Sequence, residues 1–252
     1  MFIKYTISNH DTDNLVLPYS YEGYLQALLY KLNSSDFGAF LHDEGYRFEN
    51  RTYKMFTFSQ FLEKPEKVLK SSKEFVFPNK VSFIVATVEN AMLDALYGAI
   101  TSGETFRLGK YSMQIEEVSV MEPAHVTDLL VEAKSPVCTY TTMLKPDGGK
   151  YTKYWSPQEK EFEEQVRQNA IHKYMAYYGK EPINKELSVK AIGRTQERKS
   201  LYKKEIIVGY MGRFRLTGSP ELIEIIQNSG MGAKNAQGKG LVIPIESYEQ
   251  GD

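Results

Sequence analysis

Cysteine occurs once in these 252 residues, at Cys138, so neither an intramolecular disulfide nor a zinc site built on paired cysteines can form. Cys138 sits in a strand-like run with Val137, Thr139 and Tyr140, which suits a buried structural thiol. Histidine is nearly as scarce: His10, His42, His125 and His172 are the whole set. No two stand at the His-x-His or His-x-x-x-His spacing of a metal site on one element, so no metal and no cofactor are expected. Long apolar runs are missing too. Nothing approaches the roughly 18 consecutive apolar residues of a membrane span. The amino terminus shows no basic segment leading into an apolar one. The expectation is a cytoplasmic protein with no membrane partner. A large charge excess is also absent, the net being −1, which argues against wholesale coating of a nucleic acid.

What is present is unevenly distributed. Between residues 180 and 239 there are twelve Lys or Arg against six Asp or Glu, leaving 19 against 26 elsewhere. Charge segregated in this way predicts one basic face. Within that region, Gly230-Met231-Gly232-Ala233-Lys234-Asn235-Ala236-Gln237-Gly238-Lys239-Gly240 sets four glycines, two lysines and two amides in one turn. Glycine lets backbone N–H groups approach an anion, and lysine adds charge. A Walker-type loop would need Gly-x-x-x-x-Gly-Lys-Ser/Thr after a strand and before a helix. Here five residues separate Gly232 from Gly238, Gly240 replaces the hydroxyl, and the helix comes first. The phosphates of a polymer fit this loop better than a nucleotide cofactor does.

The hydrophobic pattern divides into two similar halves. Phe2 to Ile7 alternates like a strand, and Ser20 caps a helix with Tyr21, Leu25, Leu28, Leu29 and Leu32 on one stripe. Extended segments follow at Lys54–Ser59, Glu74–Phe77 and Val81–Thr87, then a helix from Glu89 to Ile100 and further strands to Val120. The second half repeats the order. Strands at Val126–Val131 and Val137–Met143 precede a helix opened by Ser156-Pro157-Gln158-Glu159, with Phe162, Val166 and Ala170 inward. Extended segments at Leu187–Ile192 and Ile206–Arg215 lead to a helix capped by Ser219-Pro220 and a last strand after the glycine loop. Each half reads β–α–β–β–α–β, so the fold class is α+β, tandem ferredoxin-like domains at 1–121 and 126–252, joined through Glu122 to His125.

Three side chains suggest chemistry. His42 follows an apolar anchor in Phe40-Leu41-His42-Asp43-Glu44-Gly45, while the other histidines sit in a polar turn, at the junction and on a helix face suited to solvent. Tyr30 lies about 140° around its helix from Leu25, out of phase with its own core stripe. Lys54 opens a strand, where a long cationic side chain can reach across. A Tyr, a His and a Lys without a metal fit internal transesterification of RNA. One group takes the 2′-hydroxyl proton, one protonates the departing 5′-oxygen, and a cation stabilises the phosphorane-like charge. Histidine, with a pKa of about 6.5, can transfer protons near neutrality.

Nearly the whole chain resembles a known family, the CRISPR-associated endoribonucleases that cut repeat RNA into guide RNAs, the sixth numbered group. The resemblance rests on Tyr24-Leu25-Gln26 through Tyr30, Leu41-His42-Asp43-Glu44, Lys54-Met55-Phe56-Thr57-Phe58-Ser59 and the glycine loop. It implies two ferredoxin-like domains and metal-independent cleavage to a 2′,3′-cyclic phosphate and a 5′-hydroxyl. It puts the catalytic roles on Tyr30, His42 and Lys54, with His42 or Tyr30 as base, the other as acid, and Lys54 stabilising charge. Two departures stand out: Lys239 takes a position often aromatic in the family, and a polar stretch, Gly45 to Tyr53, separates His42 from Lys54. Should Lys54 not reach, Arg47 or Arg51 could replace it. RNA contacts are expected from Gly230, Gly232, Lys234, Asn235, Gly238, Lys239 and Gly240. More are expected from the basic cluster Arg194, Arg198 and Lys199, with Lys203 and Lys204. CRISPR repeat RNA is the expected partner, and the family also allows a CRISPR effector complex and a homodimer. Two other functions fit: a non-catalytic RNA-binding protein of the same architecture, and a metabolic enzyme whose glycine loop holds a small phosphorylated ligand.

Overall fold

The computed structural model describes residues 1–32, 38–101, 103, 105–202 and 205–245; Lys203 and Lys204 lie outside them. The amino-terminal half is built on β1 (Phe2–Ser8), whose side chains are buried at every position but Lys4. Apolar residues on both faces require cover on both, and β1 lies inside its sheet, antiparallel to a neighbour on each side. Short strands β2 (Asn14–Pro18), β3 (Tyr46–Phe48) and β4 (Arg51–Tyr53) belong to side structures. So do β6 (Lys67–Leu69) and β7 (Glu74–Pro78), which pair with β2 in a separate sheet. The main sheet adds β5 (Phe56–Phe58), β8 (Lys80–Thr87), β9 (Phe106–Leu108) and β10 (Tyr111–Met121), in the order β5-β8-β1-β10-β9. Helices α1 (Glu22–Leu32) and α2 (Asn90–Thr101) are the two crossovers. Leu25, Leu28 and Leu29 of α1 are buried, each contributing about 1.5–3 kcal/mol.

The carboxyl-terminal half repeats this arrangement. Strands β11 (Asp128–Ala133), β14 (Leu187–Tyr202), β15 (Glu205–Gly218) and β16 (Val242–Pro244) form a sheet in the order β14-β15-β11-β16. Relabelled by position in each repeat, both sheets run second, third, first, fourth, which is the ferredoxin-like order. Helix α3 (Lys160–Tyr178) ends at Gly179 in the left-handed conformation, φ 68. Helix α4 (Pro220–Ser229) starts with Ser219 Oγ accepting from the Leu222 amide and proline in the first turn. A hairpin of β12 (Tyr140–Leu144) and β13 (Lys150–Tyr154) stands apart. The strand expected from Val137 therefore begins at Tyr140, because Val137 and Cys138 form isolated bridges to Tyr210 and Gly232 instead. Cys138 is buried, and burial pushes its thiol up to about 12.

The two sheets are joined tightly. Residues 122–127 connect β10 to β11, and the Gln227 side chain clamps them by donating to Ala124 O at 2.7 Å and accepting from its N–H at 3.0 Å. Phe2, Ile84 and Ala86 of the first sheet form a cluster with Leu241. No described helix is long and apolar enough to cross a membrane.

Candidate active site

Tyr30 leaves the core stripe of α1 and is half-buried between domains. Its ring stands edge-on to Phe56 of β5, centroids 5.6 Å apart, and edge-on to His42, 5.2 Å apart. The hydroxyl is hydrogen-bonded to Gln26, one turn earlier on α1. Burial pushes its pKa up to about 12, with the Gln26 bond opposing the rise.

His42 sits in a π-helical turn, Phe40–Glu44. Gly45 closes the turn with φ 68, its N–H donating to Phe40 O at 2.8 Å. A Cβ there would lie 2.8 Å from Tyr53 O, so the turn can meet the following hairpin only through glycine. Phe40 anchors it edge-on to Tyr46, 5.4 Å away. The imidazole is 68% exposed, with Nδ1 2.6 Å from the Asp43 carboxylate.

The polar stretch from Gly45 to Tyr53 is a hairpin, not a loose insertion. Strands β3 and β4 pair Tyr46 with Tyr53 around Glu49, which takes φ 51 in the turn. Because the hairpin returns to its origin, Lys54 emerges beside the π-turn, and its Nζ donates to the main-chain oxygen of His42 at 2.8 Å. Burial lowers the Lys54 pKa; Asp43 opposes that shift and Arg47 adds to it. Tyr30, His42 and Lys54 thus meet at one place.

That place borders a cleft of about 660 Å³ between the two halves. Tyr30, Arg51 and Lys54 line one side, the α3 side chains Gln165, Asn169 and Lys173 the floor, and Gly232, Lys234 and Asn235 another wall. Among its described lining residues are two lysines and an arginine from these walls plus the buried Lys173, and no aspartate or glutamate. The arrangement offers donors and cations to a polyanion, with an imidazole and a phenol at the edge.

The glycine loop differs from an open anion nest. All four of its glycines are buried, and Gly232 alone among them faces the cleft. A Cβ on Gly240 would lie 2.1 Å from Met231 O, so the glycine density serves close approach within the loop. Asn235 Nδ2 donates to Lys239 O at 2.9 Å and holds the loop shut. Lys234 takes φ 60, and its Nζ lies 5.2 Å from the Tyr140 ring centre and 3.8 Å from Glu205. Lys239 corrects the expectation of a phosphate contact. It is 3% exposed, its Nζ is 3.9 Å from Glu22 of α1, and its carbonyl accepts from Thr57 Oγ1 at 2.8 Å. It fastens the loop to the first domain. Arg194, Arg198 and Lys199 are exposed along β14 but do not line the cleft, and Lys199 Nζ lies 3.2 Å from Glu197.

The remaining histidines play other parts. His10 bonds Glu116 at 3.0 Å and His125 bonds Glu224 at 2.7 Å. His172 was expected in solvent but packs on Phe48, centroids 5.1 Å apart, because the β3–β4 hairpin lies against α3. Lys173 was not anticipated as a site residue. Its signal was phase: Lys173 lies about 20° around the helix from Phe162, on the core stripe.

Two family models divide the chain between them. The N-terminal model of CRISPR-associated protein Cas6 matches residues 16–119, and the C-terminal model matches residues 120–243. The chain is 23% identical over 239 residues to an endoribonuclease-like protein, Cas6nc, of Pyrococcus horikoshii, covering 93% of this chain and 95% of that one. It is 23% identical over 248 residues to the CRISPR-associated endoribonuclease Cas6 1 of Methanocaldococcus jannaschii, with 95% and 92% covered. A solved structure described as an RAMP protein binding different RNA substrates superposes with a TM-score of 0.80 at 18% identity, covering 98% of this chain and 100% of that one. The fold is common to both, and the chain belongs to the Cas6 family of CRISPR-associated proteins.

Proposed function

We propose that this protein cleaves CRISPR repeat RNA within its precursor, without a metal, leaving a 2′,3′-cyclic phosphate and a 5′-hydroxyl. The observation that carries the reading is the meeting of the Tyr30 phenol, the His42 imidazole and the Lys54 amine beside a carboxylate-free cationic cleft. Family membership and the endoribonuclease names of the relatives support it.

The roles follow from protonation. A phenol held at about 12 keeps its proton at neutral pH, so Tyr30 acts as the donor to the departing 5′-oxygen. His42 then takes the 2′-hydroxyl proton as that oxygen attacks phosphorus. Lys54 exchanges its bond to the His42 carbonyl for the phosphorane oxygens, a cation placed where charge develops. Arg51 and Lys234 hold flanking phosphates in the cleft.

Labelled repeat RNA incubated with the protein in EDTA tests the reading. Discrete fragments ending in cyclic phosphate support it. A shifted band with no cleavage selects instead the RNA-binding protein of the same architecture, a reading favoured by the endoribonuclease-like description of the Pyrococcus horikoshii relative.

A further inference from the structure

Lys173 is a lysine in a protein core. It is 2% exposed, on the face of α3 that packs against α4. Its Nζ donates to three main-chain oxygens: Ser229 at 3.2 Å, Gly230 at 2.6 Å and Gly232 at 3.2 Å. Burial, opposed by no carboxylate, pushes its pKa down to about 7. An ammonium buried without a counter-ion is costly, and a helix end can be capped by cheaper means.

The position of those oxygens supplies a reason. They are the last carbonyl of α4 and the Gly230 and Gly232 carbonyls of the glycine loop, and Ser229 and Gly232 line the cleft. A helix carboxyl terminus carries about half a negative charge on its unsatisfied carbonyls. Left bare, the end of α4 would repel any phosphate entering from the Lys234 side. Lys173 takes up the three oxygens and, in its protonated form below about pH 7, places a positive charge behind them. Asn169 and Gln165, one and two turns earlier on the same face, continue a polar row along the cleft floor.

We propose that Lys173 is a positioning residue for the RNA backbone: acting through the glycine loop, it reverses the field at the end of α4 so that a phosphodiester can lie against the cleft floor. The proposal rests on the RNA-cleaving or RNA-binding reading of the same cleft.

The test compares wild type with Lys173→Met and Lys173→Gln, measuring anisotropy of labelled repeat RNA across a salt series, melting temperature, and cleavage kinetics. Glutamine retains N–H donors without charge, so it carries the test if the methionine variant does not fold. At low salt and pH 6, where the amine is protonated, folded Lys173→Gln is expected to bind roughly tenfold more weakly, with the loss in KM rather than kcat, as for removal of a nearby unit charge, and the difference shrinks as pH rises through about 7. A lower melting temperature with unchanged affinity would make Lys173 a structural post and overturn the proposal while leaving the cleft's function intact. Wild type that binds no repeat RNA would remove that function and this proposal together.

Discussion

Tyr202 donates its hydroxyl to the side-chain oxygen of Gln26 at 3.1 Å, across 176 positions of sequence. The bond joins the far end of β14, in the second domain, to α1 in the first. Gln26 is also the hydrogen-bond partner of Tyr30, so the second domain bears on the phenol through one amide. Tyr202→Phe is expected to slow cleavage severalfold with little change in RNA affinity, and to cost about 0.5–1.5 kcal/mol of stability. Single-turnover rates and a urea titration check both.

Removing the imidazole is a harsher change. His42→Ala is expected to lower the single-turnover rate at least about 100-fold. The ring is 68% exposed and supports little packing, so the melting temperature and RNA affinity stay near wild type. An unaltered rate would take His42 out of the reaction.

The pH profile reports Lys54. Its amine is needed charged and its pKa is lowered, so the rate falls on the alkaline side below the ordinary lysine value of 10.5. Arg47 pushes that pKa down further, so Arg47→Ala moves the alkaline limb to higher pH. Lys54→Arg, which stays charged throughout, flattens it. Rates measured from pH 7 to 10.5 at saturating RNA give the answer.

The two loop lysines separate cleanly. Lys234→Ala is expected to reduce the slope of log affinity against log salt by about one, with stability unchanged. Lys239→Ala leaves the buried Glu22 with the Gln60 amide but without its counter-ion, and is expected to cost about 3–5 kcal/mol while the salt slope stays put. Thermal melts and salt titrations on both variants distinguish the roles.

Gly240→Ala tests the packing account of the glycine loop. With φ 77 and a Cβ 2.1 Å from Met231 O, the backbone must shift, and the melting temperature falls. If alanine is tolerated there, the loop is looser than described.

Periodicity made both domains readable, because each sheet and helix buries a defined face and the pattern of burial is written in apolar spacing. Tyr30 was readable for the opposite reason, being out of step with Leu25 and Leu28. The hairpin at Gly45–Tyr53 was not, since Glu49 occupies a positive-φ turn position usually marked by Asn or Gly. The glycine loop misled as to Lys239 because glycine serves phosphate approach and tight packing equally, and the neighbours that decide between them, Asn235, Cys138, Phe58 and Met231, meet these glycines only in the fold. The extension of β14 beyond Ile192 was hidden because that stretch is largely exposed and shows no alternation.

The paired hairpin between His42 and Lys54 has a consequence for sequence length. Its two ends stay side by side whatever its reach, provided residues enter or leave in matched pairs, one per strand. A single added residue would slip the pairing and swing the amine to the opposite face. The spacing between these two side chains can therefore stretch or shrink by even steps while the amine remains against the histidine carbonyl.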